Sequence, residues 1–195
     1  MTIRSSTLLL AAGVLALACW GCSALAFVGT AAARPEPSFS VSSPAFADGG
    51  LLARKNAAAE GNCGGENVSP PLQWFHPPAG TRSFAVIVYD PDGKKGLGSV
   101  HWIAYGIPAS VTSLAAGAGS APSGAFTGGM NSAGLLRYRG PCPPAGDQPH
   151  HYIFSVYALD ADPAVLVPGL TRDAFLEAIQ GHSLAAASIV GRYGR

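Results

Sequence analysis

Three strongly apolar runs constrain the fold of this chain more than any other feature of its 195 residues. They occupy 83–89, 101–107 and 152–159 and are rich in β-branched and aromatic residues, which favour strands. The run at 83–89 does not alternate between polar and apolar residues, so we expect a strand that is covered on both faces. The segments 39–42 and 70–74 predict two further strands, because the first alternates and the second follows a turn.

Helical signals are confined to the end of the chain. Thr171 can cap a helix that Gly181 ends, since the apolar residues between them have helical spacing. The segment 183–190 predicts a second short helix, capped by Ser183. The long stretch 108–137 is rich in glycine, alanine and serine, and we expect a loop region that is either functional or holds short elements. The order predicts a β body followed by short C-terminal helices.

Composition and charge limit the class of protein. Only 12% of the residues are charged and 48% are hydrophobic, which suits one folded domain with a sizeable core. The net charge is +1, so no basic surplus argues for a nucleic-acid partner.

The N-terminal segment has the features of a secretory signal. Arg4 precedes an apolar stretch at 8–18, and small residues follow at 23–26 and 30–33. We therefore predict a signal peptide or an N-terminal anchor over 1–33. The protein is then periplasmic or secreted, and any contact with a membrane is made through this segment if it is retained.

Two alternatives to simple cleavage stay open at this point. The segment could be kept as a membrane anchor, because its apolar character continues to about Ala33, or it could be lipidated at Cys19 or Cys22. In each case we expect a short linker, 34–38, and then a single domain over 39–195.

Cys63 and Cys142 are the two cysteines that remain outside the predicted leader. Export would place this even pair in an oxidising compartment, where cysteines in loops rich in glycine and proline form disulfides. We predict a Cys63–Cys142 disulfide, and the alternative is two buried free thiols. A structural zinc site is not expected, since the mature chain has no CxxC pair.

Polar side chains stand where the three strongest predicted strands begin or end. Asp90 and Asp92 follow the first run, and His101 opens the second. His150 and Tyr152 open the third. If the first two strands pair as antiparallel neighbours, Asp90 and His101 share one edge of the sheet, and His150 joins them if its strand enters from the same side. A carboxylate beside imidazoles and a phenol suits a small anion such as phosphate.

Five short motifs occur in one order along the chain: Glu66–Leu72, Tyr89–Asp92, His101–Trp102, Tyr138–Pro144 and His150–Tyr152. Together they resemble the phosphatidylethanolamine-binding protein family, in its bacterial Raf-kinase-inhibitor-like branch. The resemblance runs from about Phe39 to Arg195. It implies a mainly β fold of two antiparallel sheets with a Greek-key-like course and short C-terminal helices.

The resemblance also assigns a ligand-binding role to six residues: Asp90, Asp92, His101, Pro141, His150 and Tyr152. The first aspartate, both histidines and the tyrosine match the anion pocket of the family. Asp92 matches its second acid, and Pro141 matches a Gly-Pro turn that lines the pocket. Because side chains alternate along a strand, at most one of His150 and His151 faces inward, and the resemblance selects His150.

This chain departs from the family pattern at the predicted entrance to the pocket. Gly93-Lys94-Lys95 follows the Asp-Pro-Asp motif, where related chains have Ala-Pro, and Ser99-Val100 precedes His101, where an aromatic residue is common. The entrance is therefore expected to be less aromatic and more basic. His151 stands where the family often has arginine, so pairing made by that arginine is not expected here.

The predicted function is binding of a small anionic or phospho-head-group ligand, without a cofactor. Catalysis is not expected, because no convincing nucleophile accompanies the histidines. Inhibition or modulation of a partner protein is a further expectation from the resemblance, although an exported protein would not easily meet a cytosolic kinase. Three alternatives stay open: a hydrolase that uses a His/Asp pair as general base, a metal site on Asp90, His101 and His150, and a secreted protein with an interaction role only.

Overall fold

The computed structural model describes residues 37–195, so the predicted leader at 1–33 and most of the predicted linker at 34–38 lie outside the described residues. Within this range no helix combines the length and the apolar character needed to cross a bilayer. The elements in chain order are β1 (Ser40–Ser42), β2 (Gly50–Leu51), a 3-10 turn (Arg54–Asn56), β3 (Leu72–Phe75), β4 (Ser83–Asp90), α1 (Gly93–Gly96), β5 (Ser99–Pro108), β6 (Ser113–Leu114), β7 (Thr127–Gly128), β8 (His150–Leu159), α2 (Arg172–Ala178) and β9 (Ser183–Tyr193).

The strands form two sheets. The smaller sheet has the order β1-β3-β6, and the larger has the order β2-β9-β8-β4-β5-β7. Neighbouring strands are antiparallel, except that β2 runs parallel to β9. The predicted mainly β fold with two sheets is confirmed, and the parallel pair is a correction to the expectation of purely antiparallel sheets.

The strand β4 lies in the middle of the larger sheet and is buried on both faces, as its unbroken apolar run predicts. Phe84, Val86 and Val88 point into a core that residues of both sheets share. Ala85 and Ile87 point to the other face. Full burial of a large apolar side chain contributes about 1.5–3 kcal/mol to stability, so β4 stabilises the hydrophobic clusters on both faces of the sheet.

The helix α2 covers the second face of the larger sheet. Its Phe175 is fully buried and stacks on Tyr105 of β5 with ring centroids 5.4 Å apart. The helix begins where the sequence predicts, because the Thr171 hydroxyl accepts a hydrogen bond from the backbone N–H of Ala174.

The predicted second helix at 183–190 is wrong, since this segment belongs to the long strand β9. β9 pairs with β8 from Ser183 to Tyr193, and this pairing outweighs the high helix propensity of its alanines. A period of two is visible in its burial: Ala185 and Ala187 are half-buried, and Ile189 and Gly191 are buried. The residues 183–190 themselves do not alternate between polar and apolar, so this burial pattern follows from the pairing with β8.

The predicted disulfide between Cys63 and Cys142 is present. Their Cα atoms are 5.5 Å apart, within the usual range for a disulfide, and 79 positions separate them in sequence. A cross-link over so long a loop stabilises the folded state by about 4 kcal/mol in the chain-entropy model. The predicted loop region 108–137 does hold two short elements, β6 and β7.

Candidate functional site

The end of β4 meets the beginnings of both its neighbours. Because β4 is antiparallel to β5 and to β8, its last residue lies opposite Ser99 of β5. One position earlier, Tyr89 lies opposite Ile153 of β8. The predicted convergence of the three strand ends is therefore confirmed, and it brings Asp90, His101, His150 and Tyr152 to one cavity.

His101 is the extra residue of a β-bulge. Val88 pairs with Trp102, and the next residue of β4, Tyr89, pairs with Val100, so His101 has no partner opposite it. Without the bulge, alternation would turn His101 and Trp102 to opposite faces. With it, His101 packs edge-on against Tyr152 with ring centroids 5.1 Å apart, on the side of the core that holds Trp102.

The Asp90 carboxylate is buried and organises the corner after β4. Its Oδ1 accepts hydrogen bonds from the backbone N–H groups of Asp92 and Gly93, at 2.9 and 3.0 Å. Its Oδ2 accepts one from Nδ1 of His150 at 2.9 Å, and lies 3.9 Å from Nε2 of His101. The carboxylate therefore holds His150 in place and lies close to His101 without a hydrogen bond to it.

His101 has one satisfied and one unsatisfied ring nitrogen. Its Nδ1 lies 2.8 Å from the carbonyl oxygen of Arg139, and since a carbonyl only accepts, Nδ1 must donate. Its Nε2 is buried without a hydrogen-bond partner. Burial lowers the pKa of His101, and the hydrogen bond to Arg139 and the charge of Asp90 offset this only in part. In the empty protein His101 is therefore neutral near pH 7.

Tyr152 presents a second unsatisfied group. Its hydroxyl is buried without a partner, although its ring lies between the rings of His101 and His150. Burial raises the pKa of this hydroxyl, and the charge of Asp90 raises it further, so the group stays protonated and can donate. A buried polar atom without a partner costs about 1–3 kcal/mol, so two such atoms at one place indicate a site that a ligand completes.

These groups line a cavity of about 120 Å³. Besides the four predicted residues, its walls contain Gly93, Lys94, Ser99, Arg139, Cys142, Pro143 and Pro144. A Cβ atom at Gly93 would lie 3.1 Å from Oδ2 of Asp90 and 2.9 Å from the Cβ of Ser99, so only glycine leaves the carboxylate in its place.

The wall formed by 139–144 is fixed by distant parts of the chain. The Asn67 side chain accepts a hydrogen bond from the backbone N–H of Gly140 at 2.8 Å and donates one to Glu60 at 2.9 Å. The disulfide of Cys142 ties the same wall to the loop around Cys63. Asn67 has a left-handed backbone (φ 54°), a conformation that asparagine adopts more readily than most residues. The Glu66–Leu72 motif thus supports the cavity from behind.

Two of the six predicted ligand-binding residues lie outside the cavity lining. The Asp92 carboxylate points away and accepts hydrogen bonds from the backbone N–H and the ring of His151, at 2.8 and 2.9 Å. The first of these bonds, followed by that from the ring, lowers the pKa of Asp92 despite some desolvation. Pro141 is buried, and its carbonyl accepts from the backbone N–H of Ala58. Both residues shape the walls instead of facing a ligand.

The predicted choice of His150 over His151 agrees with the geometry, since His150 faces the cavity and His151 is exposed. The sequence prediction missed Lys94 and Arg139 as lining residues. The sequence places Lys94 only in a basic entrance loop, and the signal for Arg139 is its place beside the Gly-Pro-Cys turn. Across the part of the chain that the structure describes, no group of three or more His, Cys, Asp or Glu side chains is arranged to hold a metal ion.

Comparison with known proteins agrees with this fold. The family model for phosphatidylethanolamine-binding protein matches residues 42–194. The chain belongs to the phosphatidylethanolamine-binding protein family, as its five motifs predict.

Relatives in bacteria and archaea share most of the chain. A UPF0098 protein of Methanothermobacter thermautotrophicus is 43% identical over 136 residues, which cover 68% of this chain and 87% of the relative. LppC of Mycobacterium tuberculosis, whose name marks it as a proposed lipoprotein, is 39% identical over 168 residues, covering 84% of this chain and 76% of LppC. The crystal structure of Escherichia coli YbcL, described as a member of the mammalian PEBP family, has a TM-score of 0.75 at 35% identity and covers 82% of this chain and 99% of YbcL.

Proposed function

We propose that this protein binds a small oxyanion, a phosphate or a phosphorylated head group, in the cavity between Asp90, His101, His150 and Tyr152. The observation that carries the proposal is the pair of buried polar atoms without partners, Nε2 of His101 and the hydroxyl of Tyr152. They belong to residues that line one cavity, so a single bound group can reach both atoms, and the Tyr152 hydroxyl can donate to one of its oxygens.

The charge of the cavity lining supports an anion. Lys94 and Arg139 both line the cavity, and among the described residues neither forms an ion pair with a carboxylate. The one carboxylate in the lining, Asp90, already accepts three hydrogen bonds. The cavity therefore offers two uncompensated cations to a ligand, while its single acid is engaged in structure.

The size of the cavity favours a head group over a whole lipid. Its volume is about 120 Å³, whereas pockets for drug-sized molecules have roughly 300–1,000 Å³. A phosphate group with a few attached atoms fits this space, and acyl chains would have to remain outside.

A larger groove of about 310 Å³ near Arg172 and Met130 makes a weaker candidate. The most buried polar side chain in its lining, Asn131, has four hydrogen bonds and needs no ligand. No unsatisfied buried side-chain atom of the described chain belongs to this groove.

The proposed role is binding without catalysis. Within residues 37–195, no serine or cysteine side chain is hydrogen-bonded to His101 or His150, as a base-activated nucleophile would be.

We also propose that the protein is exported, to the periplasm or out of the cell. The Cys63–Cys142 disulfide supports this, because disulfides persist in oxidising compartments. The name of LppC fits an exported relative. Modulation of a partner protein stays a prediction.

Calorimetric titration of the full-length chain with inorganic phosphate and with phosphorylethanolamine tests the proposal. We expect saturable binding of both, which Lys94→Gln weakens about three- to tenfold, because one water-exposed charge contributes roughly 1 kcal/mol. Lys95→Gln is the matched control, because Lys95 shares the α1 turn but does not line the cavity. No heat of binding at millimolar ligand, or equal loss in both variants, would contradict the proposal.

A further inference from the structure

The hydrogen bond between His101 and Arg139 determines what His101 offers to a ligand. Because the carbonyl of Arg139 accepts a hydrogen bond from Nδ1–H, the proton of a neutral His101 stays on Nδ1. Its Nε2 then has a lone pair and no proton. That lone pair belongs to the buried, unpartnered atom at the cavity. An oxyanion without a proton, such as sulfate, has only acceptor atoms. Its oxygens would therefore face the lone pair of the neutral ring without a hydrogen bond between them.

The Asp90 carboxylate makes the same conflict stronger. Its Oδ2 lies 3.9 Å from Nε2 of His101, so an anion that reaches this nitrogen also approaches a buried carboxylate. Like charges at such a distance raise the affinity of the site for a proton. A proton on Nε2 would resolve both conflicts, because it supplies an N–H donor to the ligand and a positive charge between the two anions.

The other groups around His101 do not replace this proton. Titratable or charged side chains face the cavity from each element around His101: Asp90 from β4, Lys94 from α1, Arg139 from the segment before β8, and His150 and Tyr152 from β8. Nδ1 of His150 is already committed to Asp90, and Tyr152 supplies one neutral donor. The lysine and the arginine attract the anion, but they leave the lone pair on Nε2 of His101 unchanged.

We infer that an oxyanion enters this cavity together with one proton, which is taken up on Nε2 of His101. The inference rests on the proposed function, and it adds that the site senses pH. In the empty protein burial keeps His101 neutral, and in the complex it is an imidazolium ion. Affinity for the anion therefore increases as the pH falls, by roughly tenfold per pH unit, until the pH reaches the pKa of His101 in the empty protein.

Titration of the full-length chain with sulfate tests the inference directly. Sulfate carries no proton near neutral pH, so any proton taken up on binding must go to the protein. The heat of binding is measured about one pH unit above the ordinary histidine pKa of roughly 6.5, in two buffers of different ionisation enthalpy. The difference between the two heats gives the number of protons, and we expect about one.

Two substitutions of His101 separate its nitrogens. His101→Gln places an amide N–H₂ near the position of Nε2, so we expect sulfate to bind with no proton uptake and with little dependence on pH. His101→Asn places its amide near Nδ1, where it keeps the bond to Arg139 but offers nothing to the ligand, and we expect binding to weaken roughly 10- to 100-fold. His182→Asn is the control, because His182 pairs with Asp160 away from the cavity and should leave uptake at about one proton.

The outcomes distinguish this inference from the proposed function. Sulfate binding with no proton uptake by the unaltered protein would overturn the inference and leave the oxyanion site standing. Uptake that persists in His101→Gln would also overturn it, since the proton would then reside elsewhere. If neither sulfate nor phosphate binds, the proposed function itself fails.

Discussion

The two ends of β8 carry the same pair of residue types in different surroundings. At the pocket end, defined by Asp90, His101, His150 and Tyr152, the Asp90 and His150 side chains are 4% and 12% exposed and 2.9 Å apart. At the far end, defined by Asp160 and His182, the paired side chains are 42% and 55% exposed and 2.7 Å apart. The N–O distance is shorter in the far pair, yet its charges are exposed and screened by water. They contribute only about 0–1 kcal/mol to the stability of the fold.

An Asp–His contact is therefore not in itself a sign of function. Both ends have the contact, but only the pocket end adds buried polar atoms that no other group satisfies. Such atoms destabilise the empty protein, and a ligand can recover that cost. The Nε1 atoms of Trp74 and Trp102 are also buried without partners, but neither residue lines this cavity. The site is distinguished by two unsatisfied atoms that belong to the lining of one cavity.

The largest expected effect comes from the cross-link that anchors the pocket end. Replacing Cys63 and Cys142 together by serine should lower the free energy of unfolding by about 4 kcal/mol, because the unfolded chain gains the freedom of a long loop. Phosphate binding should also weaken, since Cys142 lies in the cavity wall. Denaturant unfolding measures the first effect and calorimetry the second.

A reducing agent provides the control for the cross-link. It should reproduce both effects in the unaltered protein and change nothing in the double variant. An unaltered protein whose melting temperature and phosphate affinity are insensitive to reductant would contradict this prediction.

The next effect compares the two aspartates directly. In Asp90→Asn an N–H₂ group replaces one of the two carboxylate oxygens. Nδ1 of His150 donates to one of these oxygens and two backbone N–H groups donate to the other, so at least one buried donor loses its acceptor. We expect a loss of about 2–3 kcal/mol in unfolding free energy, together with weaker phosphate binding. Asp160→Asn should cost less than about 1 kcal/mol and leave binding unchanged. Equal losses in the two variants would remove the contrast between the two ends.

A third test uses two buried tyrosines with opposite hydrogen-bonding states. The Tyr152 hydroxyl has no partner, whereas the Tyr105 hydroxyl donates to Val167 at 2.6 Å and accepts from Leu170 at 3.1 Å. Tyr152→Phe should therefore leave stability unchanged or raise it by about 1 kcal/mol while it weakens phosphate binding. Tyr105→Phe should lower stability by about 1 kcal/mol without an effect on binding.

The two measurements on these tyrosine variants are thermal unfolding and phosphate titration. Opposite signs of the stability change are the expected result. If Tyr152→Phe destabilises the empty protein as much as Tyr105→Phe does, the Tyr152 hydroxyl is satisfied in the free protein and cannot be held ready for a ligand.

The smallest effect concerns Asp92, which lies beside the cavity without lining it. Its pKa is lowered from its ordinary value of 3.8 in the folded protein, so its bonds to His151 stabilise the fold above about pH 4 and are lost as the pH falls further. Asp92→Asn should cost less than about 1 kcal/mol at neutral pH, because both partners are well exposed, and the difference should vanish in acid. Urea unfolding across this pH range measures it, and a difference that grows in acid would contradict the sign.

The sequence predicts the strands and their convergence because these depend on local patterns. The apolar run at 83–89, the short connection to the next run and the polar residues at the strand ends are sufficient to place Asp90 beside His101. The convergence of His150 needed the fold of the family as well, because the strand β8 lies far along the chain. The roles of these residues in binding stay a prediction.

The rest depends on tertiary contacts that no short pattern encodes. The bulge that turns His101 toward Tyr152 is set by the register of β4 and β5. The alanines of β9 favour a helix, and only the pairing of this segment with β8 makes it a strand. Lys94 reaches the cavity lining from a left-handed turn (φ 52°), which non-glycine residues rarely adopt. Backbone of this kind often occurs at ligand sites.

The most direct test of the proposed oxyanion site is a crystal structure of the protein grown or soaked with inorganic phosphate. We expect a phosphate in the cavity, with one oxygen within hydrogen-bonding distance of Nε2 of His101 and one oxygen, the same or another, at the hydroxyl of Tyr152. A cavity that holds only water at high phosphate concentration, with both atoms bonded to that water, would contradict it.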